Sequence, residues 1–154
     1  DLHTAYRRQR QMCIRDSLLA TGELLPVKDT PFDFNKRKRI GQDLEADHIQ
    51  LKNAFGYDHS FVLNGTENQL TLEEPVSGRR LIISTTAPVV QVYTGNFLKD
   101  GCIGKAGRVY ENREGVALET QLMPNAINTE ENPSTILRKG DKFESNTKYV
   151  FEIM

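Results

Sequence analysis

A run of eight residues, 115–122, alternates between apolar and polar side chains, which is the pattern of a half-buried β-strand. Val116 and Leu118 share one face of such a strand, whereas Glu119 and Gln121 lie on the other. A carboxylate held on a rigid strand and facing a concave surface is suited to act as a general base. Most glutamates on the polar face of a strand are simply solvated. The run therefore predicts a strand and leaves the role of Glu119 to be decided by other features.

Further β signals are spread along the chain and are separated by turn residues such as Pro75 and Gly78. They lie at residues 61–63, 69–73, 79–85, 89–93 and 149–153. Several short strands at close spacing predict an all-β fold, an antiparallel β-sandwich. Only residues 43–55 have helical spacing, so we expect at most one short helix. Residues 21–34 contain Gly22 and Pro31 and are expected to form an irregular opening.

The first seventeen residues differ from the rest of the chain, because they are rich in Arg and Gln and have no usable apolar period. The segment resembles the in-frame translation of transposon-based sequencing-adapter DNA. We therefore divide the chain into a non-native, adapter-derived segment, 1–17, and one domain portion, 18–154. We expect residues 1–17 to pack against nothing, since their composition cannot repay the entropy of ordering.

Charge and cysteine content narrow the choice of partners and compartment. The formal net charge is −1, and four arginines lie within residues 1–17, so the remainder is more acidic. This balance argues against nucleic acid or an anionic membrane as a partner, and no apolar run is long enough to span a bilayer. Cys102 is the one cysteine outside residues 1–17. No intrachain disulfide is then possible there, and we expect a reducing, cytoplasmic compartment.

Three polar side chains stand beside predicted strands in a way that suits a shared cleft. Asp58 precedes an apolar strand, Gln91 lies between two valines, and Glu119 faces away from the core. Each by itself is expected at the surface, but together they are suited to line a polar cleft of the kind that binds carbohydrate. His59 adjoins Asp58, yet the two point to opposite faces of an extended backbone. We therefore expect His59 to be a hydrogen-bonded structural residue.

Residues 18–154 resemble the C-terminal part of an aldose 1-epimerase (galactose mutarotase). The resemblance rests on a series of short motifs in this order: Thr21-Gly22-Glu23-Leu24-Leu25-Pro26-Val27, Thr30-Pro31-Phe32-Asp33-Phe34, Gly56-Tyr57-Asp58-His59, Ser77-Gly78-Arg79, Gln91-Val92-Tyr93-Thr94-Gly95-Asn96-Phe97-Leu98, Gly104-Lys105, Leu118-Glu119-Thr120-Gln121, Asn132-Pro133-Ser134 and Thr147-Lys148-Tyr149. No single motif is decisive, but the ordered series is specific.

The resemblance implies a fold, a reaction and three site residues. The fold is the C-terminal portion of a mutarotase-like β-supersandwich with a sugar cleft. Glu119 matches the general base that takes the proton from the anomeric hydroxyl, and Asp58 and Gln91 match side chains that hydrogen-bond sugar hydroxyls. The implied substrate is an aldohexose such as glucose or galactose. The exchange of α and β anomers by ring opening involves no redox change, so no cofactor and no metal is expected.

Two departures from the family pattern stand out. Ser60 occupies a position where the family commonly has Asn. The general-acid histidine of the family belongs to an Asn-His motif upstream of Thr21-Gly22-Glu23, where this chain has the adapter-like segment. We therefore expect the 154-residue chain to be inactive by itself, as a fragment of its parent enzyme.

Two alternatives remain open at this point. The first is a non-catalytic carbohydrate-binding β-sandwich, although a binding module has no need of a base such as Glu119. The second is a relative that acts on a hexose phosphate. Such an enzyme needs cations near the cleft, for which the basic run 36–39 is the candidate.

Overall fold

The computed structural model describes residues 3–6, 10–99, 103–129 and 135–154, and these form two antiparallel sheets. The predicted all-β class is therefore confirmed. Cys102 and the Asn132-Pro133-Ser134 motif lie outside the described residues, as do residues 1–2 and 7–9 of the adapter-like segment.

Strands account for most of the regular structure. In chain order they are β1 His3–Tyr6, β2 Arg10–Ile14, β3 Ala20–Pro26, β4 Lys38–Arg39, β5 Asp58–Val62, β6 Leu70–Glu74, β7 Arg79–Thr85, β8 Val89–Tyr93, β9 Ala117–Gln121 and β10 Thr147–Ile153. The first sheet has the order β10-β7-β6-β1-β4, and the second has the order β3-β2-β5-β8-β9. Strands β5 to β10 correspond to the strands that the apolar, β-branched and alternating stretches of the sequence predict.

The hydrophobic core lies between the two sheets. Phe61, Val90 and Val92 of the second sheet belong to the same buried cluster as Leu70 and Ile83 of the first sheet. Burial of each such side chain favours folding by roughly 1.5–3 kcal/mol. Because the core takes up the inner face of β5 and β8, the polar side chains that alternate with these residues lie on the outer face.

Strand β9 has the orientation that its sequence predicts. Val116 and Leu118 pack against the buried cluster, whereas Glu119 is exposed. A hydrogen bond also joins β9 to β10 of the other sheet, since the hydroxyls of Thr120 and Thr147 are 3.0 Å apart. The backbone that carries Glu119 is therefore held by the core and by a contact between the sheets.

The helical pattern over 43–55 yields a shorter helix than predicted. The α-helix, α1, covers Ile49–Ala54, and Ile40–Asp43 is a separate 3₁₀ turn. His48 is extended and caps α1, since its Nδ1 accepts a hydrogen bond from the Gln50 N–H at 3.2 Å. The extended backbone at His48 interrupts the helix on its N-terminal side. Among the described helices, none has the length and apolar character needed to cross a bilayer.

The adapter-like segment contributes a strand to each sheet, so the expectation that residues 1–17 pack against nothing is wrong for residues 3–6 and 10–14. Strand β1 pairs with both β4 and β6 in the first sheet. Strand β2 pairs with both β3 and β5, and Met12 is only 1% exposed. The Gln50 side chain accepts from the Ile14 N–H at 2.7 Å and donates to the Ile14 carbonyl at 2.9 Å. Burial of the Met12 and Ile14 side chains offsets the conformational entropy lost when this segment becomes ordered. The overall composition of residues 1–17 does not reveal this, because most of the segment is polar. The proposed origin of the segment remains a prediction.

The opening of the domain portion is also more regular than expected. Residues 20–26 form β3 instead of an irregular segment, because β2 supplies a partner for their backbone hydrogen bonds. Gly22 is accommodated with a φ of 91°. From the sequence alone, Gly22 predicts a turn. Its place in a sheet depends on the pairing of β3 with β2.

Candidate functional site

Strands β5, β8 and β9 bring the three predicted site residues onto one face. Ser60 lies opposite Gln91, and Gln91 lies opposite Glu119. Asp58 precedes Ser60 by two residues and therefore shares its face. Directly opposed residues in such a sheet have Cβ atoms about 4.5–5.5 Å apart. This outer polar face, formed by Asp58, Ser60, Gln91 and Glu119, is the candidate site.

The Gln91 side chain is held by hydrogen bonds at both ends of its amide. Its Oε1 accepts a short hydrogen bond from the Ser60 hydroxyl. Its Nε2 donates to Asp58 Oδ1 at 2.7 Å. Because an amide nitrogen has two N–H groups, one of them remains to meet a ligand. Gln91 therefore presents a fixed donor next to the Asp58 carboxylate.

Asp58 is partly buried, and its environment disfavours the charged form. Burial raises the pKa of Asp58 above its ordinary value, and the hydrogen bond from Gln91 partly offsets this by lowering the pKa. A partly desolvated carboxylate gains from further hydrogen-bond donors. Asp58 is thus suited to accept hydrogen bonds from hydroxyl groups of a bound ligand.

Glu119 is exposed at the edge of this face, next to Gln91. Within the described parts of the chain, no side chain binds its carboxylate. Its backbone pairs with β8, while Leu118 on the opposite face packs on the core. The carboxylate is therefore positioned by a fixed strand and is accessible for proton transfer.

His59 lies on the other side of the sheet and is fully buried in the core. Its Nδ1 accepts a hydrogen bond from the Asp58 backbone N–H at 3.0 Å, and its ring lies 4.7 Å from that of Phe32. Burial, together with the nearby His48, lowers the pKa of His59 to about 3. The expectation that His59 is structural and forms no dyad with Asp58 is confirmed.

The structure adds two residues that the sequence did not single out for a site. Ser60 entered the sequence analysis only as a departure from the family pattern, yet its hydroxyl orients Gln91. Ser60 could have been identified from the sequence, because a residue two positions from Asp58 in a strand lies on the same face. Tyr93 lies opposite Asp58, and its hydroxyl accepts a hydrogen bond from the Phe97 N–H at 2.9 Å. Tyr93 thereby connects the polar face to the loop that follows β8.

The polar face is open. A cavity of about 520 Å³ lies beside α1, and Phe55 and Arg113 are among the residues that line it, whereas Asp58, Gln91 and Glu119 are not. The strand register and the hydrogen bond between Gln91 and Asp58 define the candidate site, because they bring the three predicted side chains together. Among the residues that the structure describes, no group of three or more His, Cys, Asp or Glu side chains is arranged to hold a metal ion.

Comparison of the sequence with known proteins identifies similar proteins of one family. The sequence model of the aldose 1-epimerase family matches residues 4–150. Galactose mutarotase from Homo sapiens is 37% identical over 143 residues, which cover 91% of this chain and 40% of that protein. Aldose 1-epimerase from Escherichia coli K12 is 35% identical over 134 residues, which cover 83% of this chain and 38% of that protein. The chain thus spans about 40% of the length of these relatives.

Solved structures show the same similarity at the level of the fold. The GalM/aldose epimerase homologue from C. elegans has a TM-score of 0.87 and 27% identity, over 99% of this chain and 46% of that chain. The galactose 1-epimerase from Lactobacillus acidophilus NCFM has a TM-score of 0.77 and 28% identity, over 99% of this chain and 44% of that chain.

Proposed function

Since the chain belongs to the aldose 1-epimerase family, we propose that its outer polar face forms the sugar-binding and proton-accepting part of a mutarotase site. The reaction is the interconversion of the α and β anomers of an aldohexose such as galactose or glucose. The observation that carries the proposal is the meeting of Asp58, Gln91 and Glu119 on one face.

Glu119 is the general base of the proposed reaction. Its carboxylate takes the proton from the anomeric hydroxyl while an acid protonates the ring oxygen, and the C1–O5 bond breaks to give the open-chain aldehyde. Rotation about the C1–C2 bond exposes the other face of the carbonyl. In ring closure the O5 hydroxyl attacks the aldehyde carbon and gives its proton back to the conjugate base of the acid, and Glu119 returns its proton to the new anomeric oxygen. The exposed, strand-held position of Glu119 supports this role.

Asp58 and Gln91 hold the sugar in this proposal. Asp58 accepts hydrogen bonds from sugar hydroxyls, and the remaining N–H of Gln91 donates to a sugar oxygen. The bonds from Ser60 and to Asp58 fix Gln91 before the ligand arrives. Such preorganisation lowers the entropy cost of binding.

The acid that protonates the ring oxygen is assigned to another part of the enzyme. The family resemblance places it on a histidine upstream of Thr21-Gly22-Glu23. The two histidines with described side chains have other positions, since His48 caps α1 and His59 lies in the core. We therefore propose that catalysis needs a histidine from outside residues 18–154, and that this chain by itself does not accelerate mutarotation.

The basic run 36–39 does not support a phosphorylated substrate. Lys38 and Arg39 form β4 at the edge of the other sheet. The Lys38 ammonium binds Asp43 and the Pro31 carbonyl, and Arg37 pairs with Glu73. A neutral hexose is the better match. A cytoplasmic location is part of the same proposal. The net charge of −1 supports a partner other than nucleic acid or an anionic membrane.

A chimera tests the proposed function. Residues 18–154 would replace the matching segment of the E. coli relative, whose remaining chain supplies the rest of the family domain. Polarimetry on fresh α-galactose measures mutarotation above the buffer rate. We expect an active chimera, and an inactive chimera once Glu119→Gln is introduced. A folded chimera without activity, or one whose activity survives Glu119→Gln, would contradict the proposal.

A further inference from the structure

Two exposed phenylalanine rings contact each other at the end of the second sheet where β5 begins and β8 ends. Phe55 is 66% exposed and Phe97 is 51% exposed, and their ring centroids are 5.7 Å apart at an interplanar angle of 74°. An edge-to-face pair of this kind leaves much of each ring in contact with solvent. Exposed aromatic clusters of this sort mark binding surfaces in many soluble proteins.

Hydrogen bonds connect the segments that carry the aromatic pair to the end of β8 and to the residues before β5. The Phe97 N–H donates to the hydroxyl of Tyr93, which lies opposite Asp58 on the same face. On the other side, the Asn96 amide donates to the carbonyls of Ala54 and Tyr57, at 2.8 and 3.0 Å. These bonds hold the turn on both sides of Phe55.

The backbone conformation at Phe55 also keeps its side chain at the surface. Phe55 ends α1 with a φ of 56°, in the left-handed region that a bulky side chain rarely adopts. The Arg113 guanidinium donates to the Phe55 carbonyl at 3.3 Å. This conformation holds the ring away from the core and against Phe97.

We propose that Phe55 and Phe97 form an apolar wall of the sugar site, against which the C–H face of a pyranose ring packs while Asp58 and Gln91 hold its hydroxyls. This inference rests on the function proposed above. A pyranose has one patch of C–H groups and a rim of hydroxyls. It needs an aromatic surface and a few polar groups near each other. The structure places the Phe55–Phe97 pair next to the point where β5 begins with Asp58 and where β8 ends two residues after Gln91.

Charges beside the aromatic wall are paired, which favours a neutral ligand. Arg113 forms an ion pair with Glu45, and Lys52 forms one with Asp47. A phosphate group would have to compete with a carboxylate for either cation. The wall is therefore suited to an uncharged sugar.

Saturation-transfer NMR on the 154-residue chain with D-galactose tests the inference. Irradiation of the aromatic protons should transfer saturation to the sugar C–H protons. In Phe55→Leu and Phe97→Leu this transfer should decrease, and the Kd for galactose should rise roughly three- to tenfold. The matched control is Phe151→Leu, an equally apolar change at a 78% exposed phenylalanine on β10 of the other sheet, which should leave both readouts unchanged.

Further variants separate this inference from the proposed function. Phe55→Tyr retains an aromatic ring and should bind galactose as the unaltered chain does. If Asp58→Ala weakens galactose binding but both Leu variants bind normally, the aromatic wall is wrong and the polar site stands. If the Leu variants weaken binding but Asp58→Ala does not, the wall stands and the polar assignment fails. Absence of galactose binding by the unaltered chain would overturn both.

Discussion

The Gln91 side-chain amide donates a 2.7 Å hydrogen bond to the Asp58 carboxylate, and so links β8 to β5 on the outer face of the sheet. The two residues are diagonal neighbours, because Gln91 lies opposite Ser60 and Asp58 lies opposite Tyr93. The bond opposes part of the rise in the Asp58 pKa that burial causes. It thereby keeps a partly desolvated carboxylate in place at the candidate sugar site.

Asp58→Asn should increase stability at neutral pH. Because the folded-state pKa of Asp58 is raised, the folded state binds more protons than the unfolded state between the ordinary value of 3.8 and the raised pKa. The free energy of unfolding therefore falls as the pH rises through this window. Asn does not titrate and still accepts the Gln91 bond. We expect the Tm of the variant, relative to the unaltered chain, to be higher at about pH 7 than at about pH 3.5. A pH-independent difference in Tm would contradict the prediction.

His59→Leu should make the protein less sensitive to acid. The pKa of His59 is lowered from 6.5 to about 3, so the unfolded state binds the extra proton between these values. The contribution of neutral His59 is fully present above pH 6.5 and is lost as the pH falls toward 3, by at most about 1.4 kcal/mol for each pH unit. Urea unfolding at several pH values should show a shallower loss in the variant. Equal slopes would argue that His59 does not titrate as proposed.

Glu119→Gln and Leu118→Ala should separate catalysis from stability at neighbouring positions. In the chimera with the E. coli relative, Glu119→Gln should lower kcat by ~10²-fold or more with little change in Tm, because Glu119 is exposed. Leu118→Ala should leave kcat almost unchanged but cost about 2 kcal/mol, because Leu118 packs partly against the core. Polarimetry and thermal unfolding measure the two effects. A near-normal kcat in Glu119→Gln would leave Glu119 as a solvated surface residue.

Met12→Ala should show whether the adapter-like segment takes part in the fold. Met12 is 1% exposed and belongs to a buried cluster with Val89 and Met123. Its truncation should lower the free energy of unfolding by about 2–5 kcal/mol. Leu19→Ala is the control, since Leu19 is 60% exposed and should cost little. If both variants unfold at the same urea concentration as the unaltered chain, residues 10–14 do not contribute to the core.

The sequence by itself determined the local character of the chain. Apolar, β-branched and alternating stretches identified β5 to β10, and the period of two showed that Glu119 faces away from Leu118 and that His59 faces away from Asp58. These predictions succeed because the orientation of a side chain on a strand depends only on its position within that strand. The helical pattern was less reliable, since the extended backbone of His48 shortened the helix to Ile49–Ala54.

Only the tertiary structure decided which strands are neighbours. Asp58, Gln91 and Glu119 are far apart in sequence, and they meet because β8 pairs with β5 on one side and β9 on the other. The pairing of β2 between β3 and β5, and the contact of Phe55 with Phe97, likewise depend on long-range packing. Strand order and register depend on burial against distant segments, whereas the alternating pattern specifies only which side chains share a face.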